Sequence, residues 1–280
     1  MRWAAIILGV SWLSLGGAGA TSLRAERPLR VSVAISLREA AGEIAAAFEK
    51  QHGGRVELVF GSSGQLLAQI RSGAAVDVFI SAASEQVEVL IQEKLADEPA
   101  RRVVALNRLV LITSAADRGP TLTFHSLAEH RLARVAIGEP DTVPAGLYAR
   151  QVLEKLKLLD GLKSRLVYGT NVRQVLDYVE RGEVDAGVVY ATDARLVGDK
   201  VRVHAIAEAD WHEPIEYPAI VLRRCDRPEA ATAFVAFFES DAARKILESH
   251  GFALPRRPTD EDPRSREAQP PATPKPDSPP

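Results

Sequence analysis

Residues 29–81 read LRVSVAISLREAAGEIAAAFEKQHGGRVELVFGSSGQLLAQIRSGAAVDVFIS. Short β-rich runs (LRVSVAI, RVELVF, VDVFIS) alternate with stretches whose apolar residues fall at helical spacing (LREAAGEIAAAFEK, QLLAQIRSG). That alternation predicts an α/β unit on a largely parallel sheet, with helices as crossovers. Further on, a helix is expected near 84–94, and RRVVALN and RLVLITS are β-rich again. A second set follows: RVAIG, a helix from about Pro144 to Leu158, RLVYG, a helix from Val172 to about Arg181, and DAGVVY. Two α/β lobes in series are the economical interpretation.

An internal similarity supports related lobes. IRSGAAVDVFIS (Ile70 to Ser81) resembles VERGEVDAGVVY (Val179 to Tyr190): a basic residue, a glycine, then an aspartate opening a strand. Gly73 and Gly182 suit the left-handed residue that ends a helix, and Asp77 and Asp185 are expected to fix the turn into the strand. PIEYPAIVLR (Pro214 to Arg223) is β-rich, and PEAATAFVAFF and DAARKILESH are helical patterns. If these return to the first lobe, the chain crosses between lobes twice, near 104–112 and 214–222, and encloses a hinged cleft. Such clefts take ligands at the carboxyl ends of strands. The expected divisions are 27–108 for the first lobe, 109–216 for the second, and 217–254 for the return.

The two ends differ from this body. MRWAAIILGVSWLSLGGAGA has Arg2, an apolar run from Trp3 to about Leu15, and Ala18 and Ala20 in an A-x-A arrangement, so residues 1–20 are expected to be a cleavable secretory signal. The run is shorter than the roughly 20 residues of a spanning helix, so no membrane insertion is expected after cleavage. The only cysteine, Cys225, lies far from that run, which argues against a lipid anchor and an internal disulfide. Residues 255–280, PRRPTDEDPRSREAQPPATPKPDSPP, are proline-dense and nearly empty of large apolar side chains, the composition of a disordered tail. A formal net charge of -2 gives no hint of nucleic-acid or membrane-surface binding.

Four junctions between strand and helix carry the candidate chemistry: Ser36, Ser62-Ser63, Pro144-Ala145-Gly146 and Asn171-Val172. The N–H groups of a first helical turn lack intrahelical partners and attract anions without a lysine. Ser36 precedes LREAAGEIAAAF, where N-capping alone would account for it. In Phe60-Gly61-Ser62-Ser63-Gly64, flanking glycines let backbone approach a ligand while two hydroxyls offer hydrogen bonds; a plain turn is an equal reading. Gln65 stands where a hydrolase nucleophile elbow needs its last glycine, and the lysine of a phosphate-binding loop is absent. Pro144 suits a first helical turn, and Asn171 is a natural N-cap. Arg173 either faces an anion or is solvated or salt-bridged. Tyr190 ends a buried strand, where its hydroxyl needs a partner, a ligand oxygen being one. The six histidines (His52, His125, His130, His204, His212, His250) are scattered, and none pairs at helical spacing with another ligand, so no metal site is expected.

Taken in order, VAISLREA, FGSSGQLLAQI, SGAAVDVFISA, EPDTVPAGLYA, NVRQVLDYVERGEVDAGVVYATDA and EYPAIV resemble the periplasmic molybdate-binding proteins of ABC importers over residues 29 to 254. The resemblance implies a two-lobed periplasmic-binding-protein fold of type II, each lobe a mixed, mostly parallel sheet flanked by helices, with a hinged cleft between. It implies a cage of two serines, two backbone N–H groups and a tyrosine, which falls on Ser36, Ser63, Ala145, Val172 and Tyr190. Molybdenum would enter only as bound molybdate, with tungstate equivalent, and no cofactor or catalysis is implied. A permease and its ATPase are the implied partners of a monomeric periplasmic protein. Gly64 stands where the family often has a further serine. Another oxyanion such as sulfate, or a small organic acid paired by Arg173 or Arg38, is the alternative ligand; a sensor or adhesion module that keeps the fold is a further one.

Overall fold

The computed structural model describes residues 27–129 and 132–256. The expected signal and all but two residues of the expected tail lie outside them.

The first half of the chain forms β1 (Leu29–Ala34), α1 (Arg38–His52), β2 (Val56–Gly61), α2 (Ser63–Arg71), β3 (Val78–Ile80), α3 (Ser84–Gln92) and β4 (Arg102–Leu106). There follow β5 (Leu109–Ser114), β6 (Val135–Gly138), α4 (Pro144–Lys155), α5 (Leu159–Leu162), β7 (Leu166–Gly169), α6 (Val172–Glu180), β8 (Ala186–Tyr190), α7 (Ala191–Val197) and β9 (Val201–Ile206). The chain closes with β10 (Glu216–Val221), α8 (Pro228–Phe237) and α9 (Asp241–Ser249).

Two five-stranded sheets result, ordered β2-β1-β3-β10-β4 and β7-β6-β8-β5-β9. They are built to one plan. In the first, β1 pairs in parallel with β2 and β3, and β10 closes antiparallel on β3. In the second, β6 pairs in parallel with β7 and β8, and β5 closes antiparallel on β8. The antiparallel strand of each sheet comes from across a crossover: the chain leaves the first sheet between Leu106 and Leu109 and re-enters it between Ile206 and Glu216. Two connections therefore join the lobes, the anatomy of a hinge.

The repeated segments do the same local work in both lobes. Gly73 and Gly182 follow α2 and α6 at φ +93° and +68°, a region open to glycine at no steric cost. Asp77 accepts from the Arg30 N–H and Asp185 from the Arg134 N–H, each at 2.8 Å, so both carboxylates pin the start of their strand to its parallel neighbour. Strands β3 and β8 are buried along their whole length, whereas the edge strand β2 alternates between half-buried and exposed positions. In α6 the residues at helical spacing, Val172, Val175, Leu176 and Val179, form the buried face.

Two details depart from the sequence reading. The helix expected to reach Leu158 ends at Lys155, because Lys157 takes φ +58° and the Leu158 N–H turns back to the Leu153 carbonyl. Strand β9 was not anticipated; Val203 and Ile206 on it are 49% and 47% exposed, so its burial lacks a clean alternation.

Candidate functional site

The carboxyl ends of the parallel strands in both sheets point into the seam between the lobes, and the four strand-to-helix junctions meet there. Ser36 sits in a tight helical turn, Ile35–Leu37, between β1 and α1. The capping role that its position suggested is not the one it plays: residue Leu37 occupies the N-cap of α1, and no side chain caps that helix. The Ser36 hydroxyl is 4% exposed and lies 2.9 Å from the Tyr217 hydroxyl instead.

At the second junction the two serines divide the labour. Ser62 caps α2 by accepting from the Gln65 N–H. Ser63, fully buried, accepts the Ala82 N–H at 3.0 Å through its Oγ. Gly64 touches the opposite lobe: its N–H donates to the Thr142 carbonyl at 3.0 Å.

From the second lobe come two helix starts. Pro144 is the first residue of α4, with Val143 at its N-cap and no side-chain cap. Ala145 is thus the second residue of a helix and Val172 the first of α6, positions whose N–H groups have no carbonyl to meet within the helix. Asn171 caps α6, accepting the Gln174 N–H at 3.0 Å, as its position predicts. Tyr190 is 1% exposed at the end of β8, and its hydroxyl donates across the seam to the Ala82 carbonyl at 3.5 Å, a long and weak bond. Burial drives its phenol pKa well above the ordinary tyrosine value, so it remains a donor.

Ser36, Ser63, Ala145, Val172 and Tyr190 all line one small cavity, together with Ser62, Pro144 and Ala82. The lobes touch beside it, with the Gly64 N–H on the Thr142 carbonyl and the Tyr190 hydroxyl on the Ala82 carbonyl. Among the described residues no charged side chain lines it. Arg173 is held instead by two carboxylates, with Nη2 2.7 Å from Glu39 Oε2 on α1 and Nε 2.7 Å from Asp193 Oδ1 on α7. Arg38 lies over the Phe60 ring at 4.9 Å. Neither arginine is placed to pair a carboxylate ligand in this cavity. An array of neutral donors around a small space can replace the water shell of a compact anion, and helix starts add a favourable field.

Sequence reasoning assigned no role to Tyr217, Asn107, Glu39 or Asp193. The Asn107 Nδ2 group donates to the Thr192 hydroxyl at 2.9 Å and to the Tyr217 hydroxyl at 3.1 Å, so a polar chain runs behind Ser36. The one local signal was the tyrosine inside EYPAIV, a strand position with a polar tip. Among the described residues no cluster of three or more potential metal ligands occurs, and no helix is long and apolar enough to cross a membrane.

Residues 29–253 match the family described as bacterial extracellular solute-binding protein. The chain is 41% identical over 226 residues to a putative ABC transporter substrate-binding lipoprotein, YvgL, of Bacillus subtilis, covering 80% of this chain and 85% of that protein. It is 35% identical over 239 residues to the molybdate-binding protein ModA of Haemophilus influenzae, covering 83% and 92% respectively. Among solved structures, the periplasmic molybdate-binding protein of Azotobacter vinelandii superposes with a TM-score of 0.73 at 29% identity, over 81% of this chain and all of that one.

Proposed function

The chain belongs to the bacterial extracellular solute-binding proteins, and from that premise we propose that it captures molybdate, and tungstate with it, in the closed seam and delivers it to an ABC importer. It carries its solute rather than converting it, and it works outside the cytoplasm. The secretory signal expected in residues 1–20 would export it to the periplasm, where the permease and its ATPase are its partners.

One observation supports the ligand class: Ser36, Ser63, Ala145, Val172 and Tyr190, from both lobes and each with a neutral group able to donate, line one cavity that has no charged side chain among its described lining residues. Closure brings the lobes into contact at Gly64 and Thr142, so a bound tetrahedral dianion is sealed from water and held by donors on both sides. Charge-assisted hydrogen bonds are roughly twice as strong as neutral ones, which lets the cage dispense with a cation. Sulfate has the same charge and shape but shorter bonds, so cavity size does the discriminating. The relatives named for molybdate support molybdate over sulfate as cargo.

Calorimetric titration of the anion-stripped protein with molybdate, tungstate, sulfate and phosphate tests this reading. One-to-one binding of the first two alone is expected. Preference for sulfate, or no heat with any of the four, overturns the ligand.

A further inference from the structure

Behind Ser36 the hydrogen bonds have only one consistent direction. The Arg108 N–H donates to Asn107 Oδ1 at 2.9 Å, which fixes the amide so that Nδ2 faces Thr192 and Tyr217 as a donor. Asn107 Nδ2 therefore donates to the Tyr217 oxygen. Tyr217 is fully buried, and its hydroxyl proton needs an acceptor; the partner in reach is Ser36 Oγ at 2.9 Å. The phenol stays protonated, since burial pushes its pKa far up. Once Ser36 Oγ accepts from Tyr217, its own proton is free to point into the cavity.

Ser63 is biased in the same way by a different donor. Its Oγ accepts the Ala82 N–H at 3.0 Å, leaving its proton for the cavity. The Ala145 and Val172 N–H groups can only donate. A hydroxyl oxygen has two lone pairs, so a donor behind it leaves one for a protonated anion but turns the hydroxyl's own proton toward the cavity, which favours an anion whose oxygens only accept.

We infer that Asn107 and Tyr217 are specificity-determining positioning residues, a relay from the crossover that biases the Ser36 hydroxyl toward donating, so that the cage favours fully deprotonated oxyanions over those that carry a proton. This rests on the oxyanion reading above and gives a cage of serines, which are ambivalent by nature, a way to disfavour hydrogen phosphate. The placement suits the task. Asn107 lies on the crossover between β4 and β5 and bridges Thr192 of the second lobe to Tyr217 of the first. Its orientation is set by the main chain.

A double-mutant cycle of Ser36→Ala, Tyr217→Phe and the pair, titrated with molybdate and competed with phosphate, tests the relay. Tyr217→Phe leaves Asn107 its bond to Thr192, so the fold should hold, as thermal melting will report. Molybdate affinity is expected to fall about tenfold in Tyr217→Phe, and the double variant should be no weaker than Ser36→Ala alone within about twofold. Phosphate competition, expected to be weakest in the wild type, should rise in Tyr217→Phe. Should that variant unfold, Asn107→Ala keeps the phenol but frees its oxygen to accept from Ser36, with a several-fold loss that again vanishes when Ser36 is absent. Losses that multiply across the cycle, or phosphate competition no stronger in Tyr217→Phe than in the wild type, overturn the relay. A wild type that prefers sulfate overturns the molybdate reading instead, and the same cycle run with sulfate still decides the relay; a wild type that binds no oxyanion overturns both.

Discussion

Two side chains on opposite lobes separate binding from folding. Ser63 has a double duty, since its oxygen takes the buried Ala82 N–H while the residue also lines the cavity. Ser63→Ala removes a hydrogen bond to a charged ligand and also orphans a buried N–H. It is expected to weaken oxyanion binding by about 1.5–3 kcal/mol and to lower unfolding free energy by about 1–3 kcal/mol. Calorimetry and urea denaturation read the two effects independently, and unchanged affinity would remove Ser63 from the cage. Tyr190→Phe should divide the effects differently. Its hydroxyl makes only a 3.5 Å bond to the Ala82 carbonyl in the closed protein, so stability should move by about 1 kcal/mol or less while oxyanion affinity falls as for Ser63. A Phe variant that fails to fold would assign that tyrosine to structure alone.

At the scale of elements, the start of α2 shows why glycine replaces the serine expected there from the family resemblance. A Cβ on Gly64 would lie 2.6 Å from the Thr142 carbonyl oxygen and 2.7 Å from its Cα, main-chain atoms that cannot swing aside. The helix start is thus pressed directly against the loop that precedes α4, and the Gly64 N–H becomes an interlobe bond. Gly64→Ala is expected to cost the closed arrangement about 1–3 kcal/mol, the usual penalty for overpacking. The saturated variant should remain more open by small-angle scattering, with weaker molybdate retention; a closed variant of wild-type affinity would show that the seam yields. Helix α1 contributes in a second way, since Glu39 on its first turn reaches Arg173 on α6.

Across the whole molecule, that contact belongs to a charged group outside the cavity. Asp193 on α7 is fully buried, faces Arg173, and has Glu39, Tyr190 and Tyr217 as its other titratable neighbours. Burial outweighs the pull of Arg173 and pushes its carboxyl up to about 7 from an ordinary value of 3.8. The folded protein then binds a proton that the unfolded chain has released, so this group's contribution to stability is fully present below about pH 4 and is lost as pH rises through about 7. The melting temperature of the wild type relative to Asp193→Asn should accordingly fall across that window. Parallel profiles for the two proteins would mean that the carboxylate stays ionised beside Arg173 throughout.

Much of this protein was legible in its residues because the relevant signals are local. Alternating β-rich and helical periodicities specify two α/β units, and serine, asparagine, proline and glycine mark strand-to-helix junctions through backbone geometry that acts within a few positions. The junctions at Ser36, Ser62-Ser63, Pro144-Ala145-Gly146 and Asn171-Val172 stand out in this way, whereas the choice of Ser63, Ala145 and Val172 within them comes from the family resemblance. Local pattern did not reveal how Ser36 is used: a serine before a helix looks like a cap, whereas here the helix start is left to Leu37 and the hydroxyl turns to Tyr217, 181 positions away. Nor could it decide that Arg173 is held between Glu39 and Asp193, or that Thr142 leaves no room beside Gly64. These outcomes depend on two lobes closing against each other. A long-range contact leaves no periodicity in the chain, so the proton direction of each hydroxyl is settled only when its distant donor is in place.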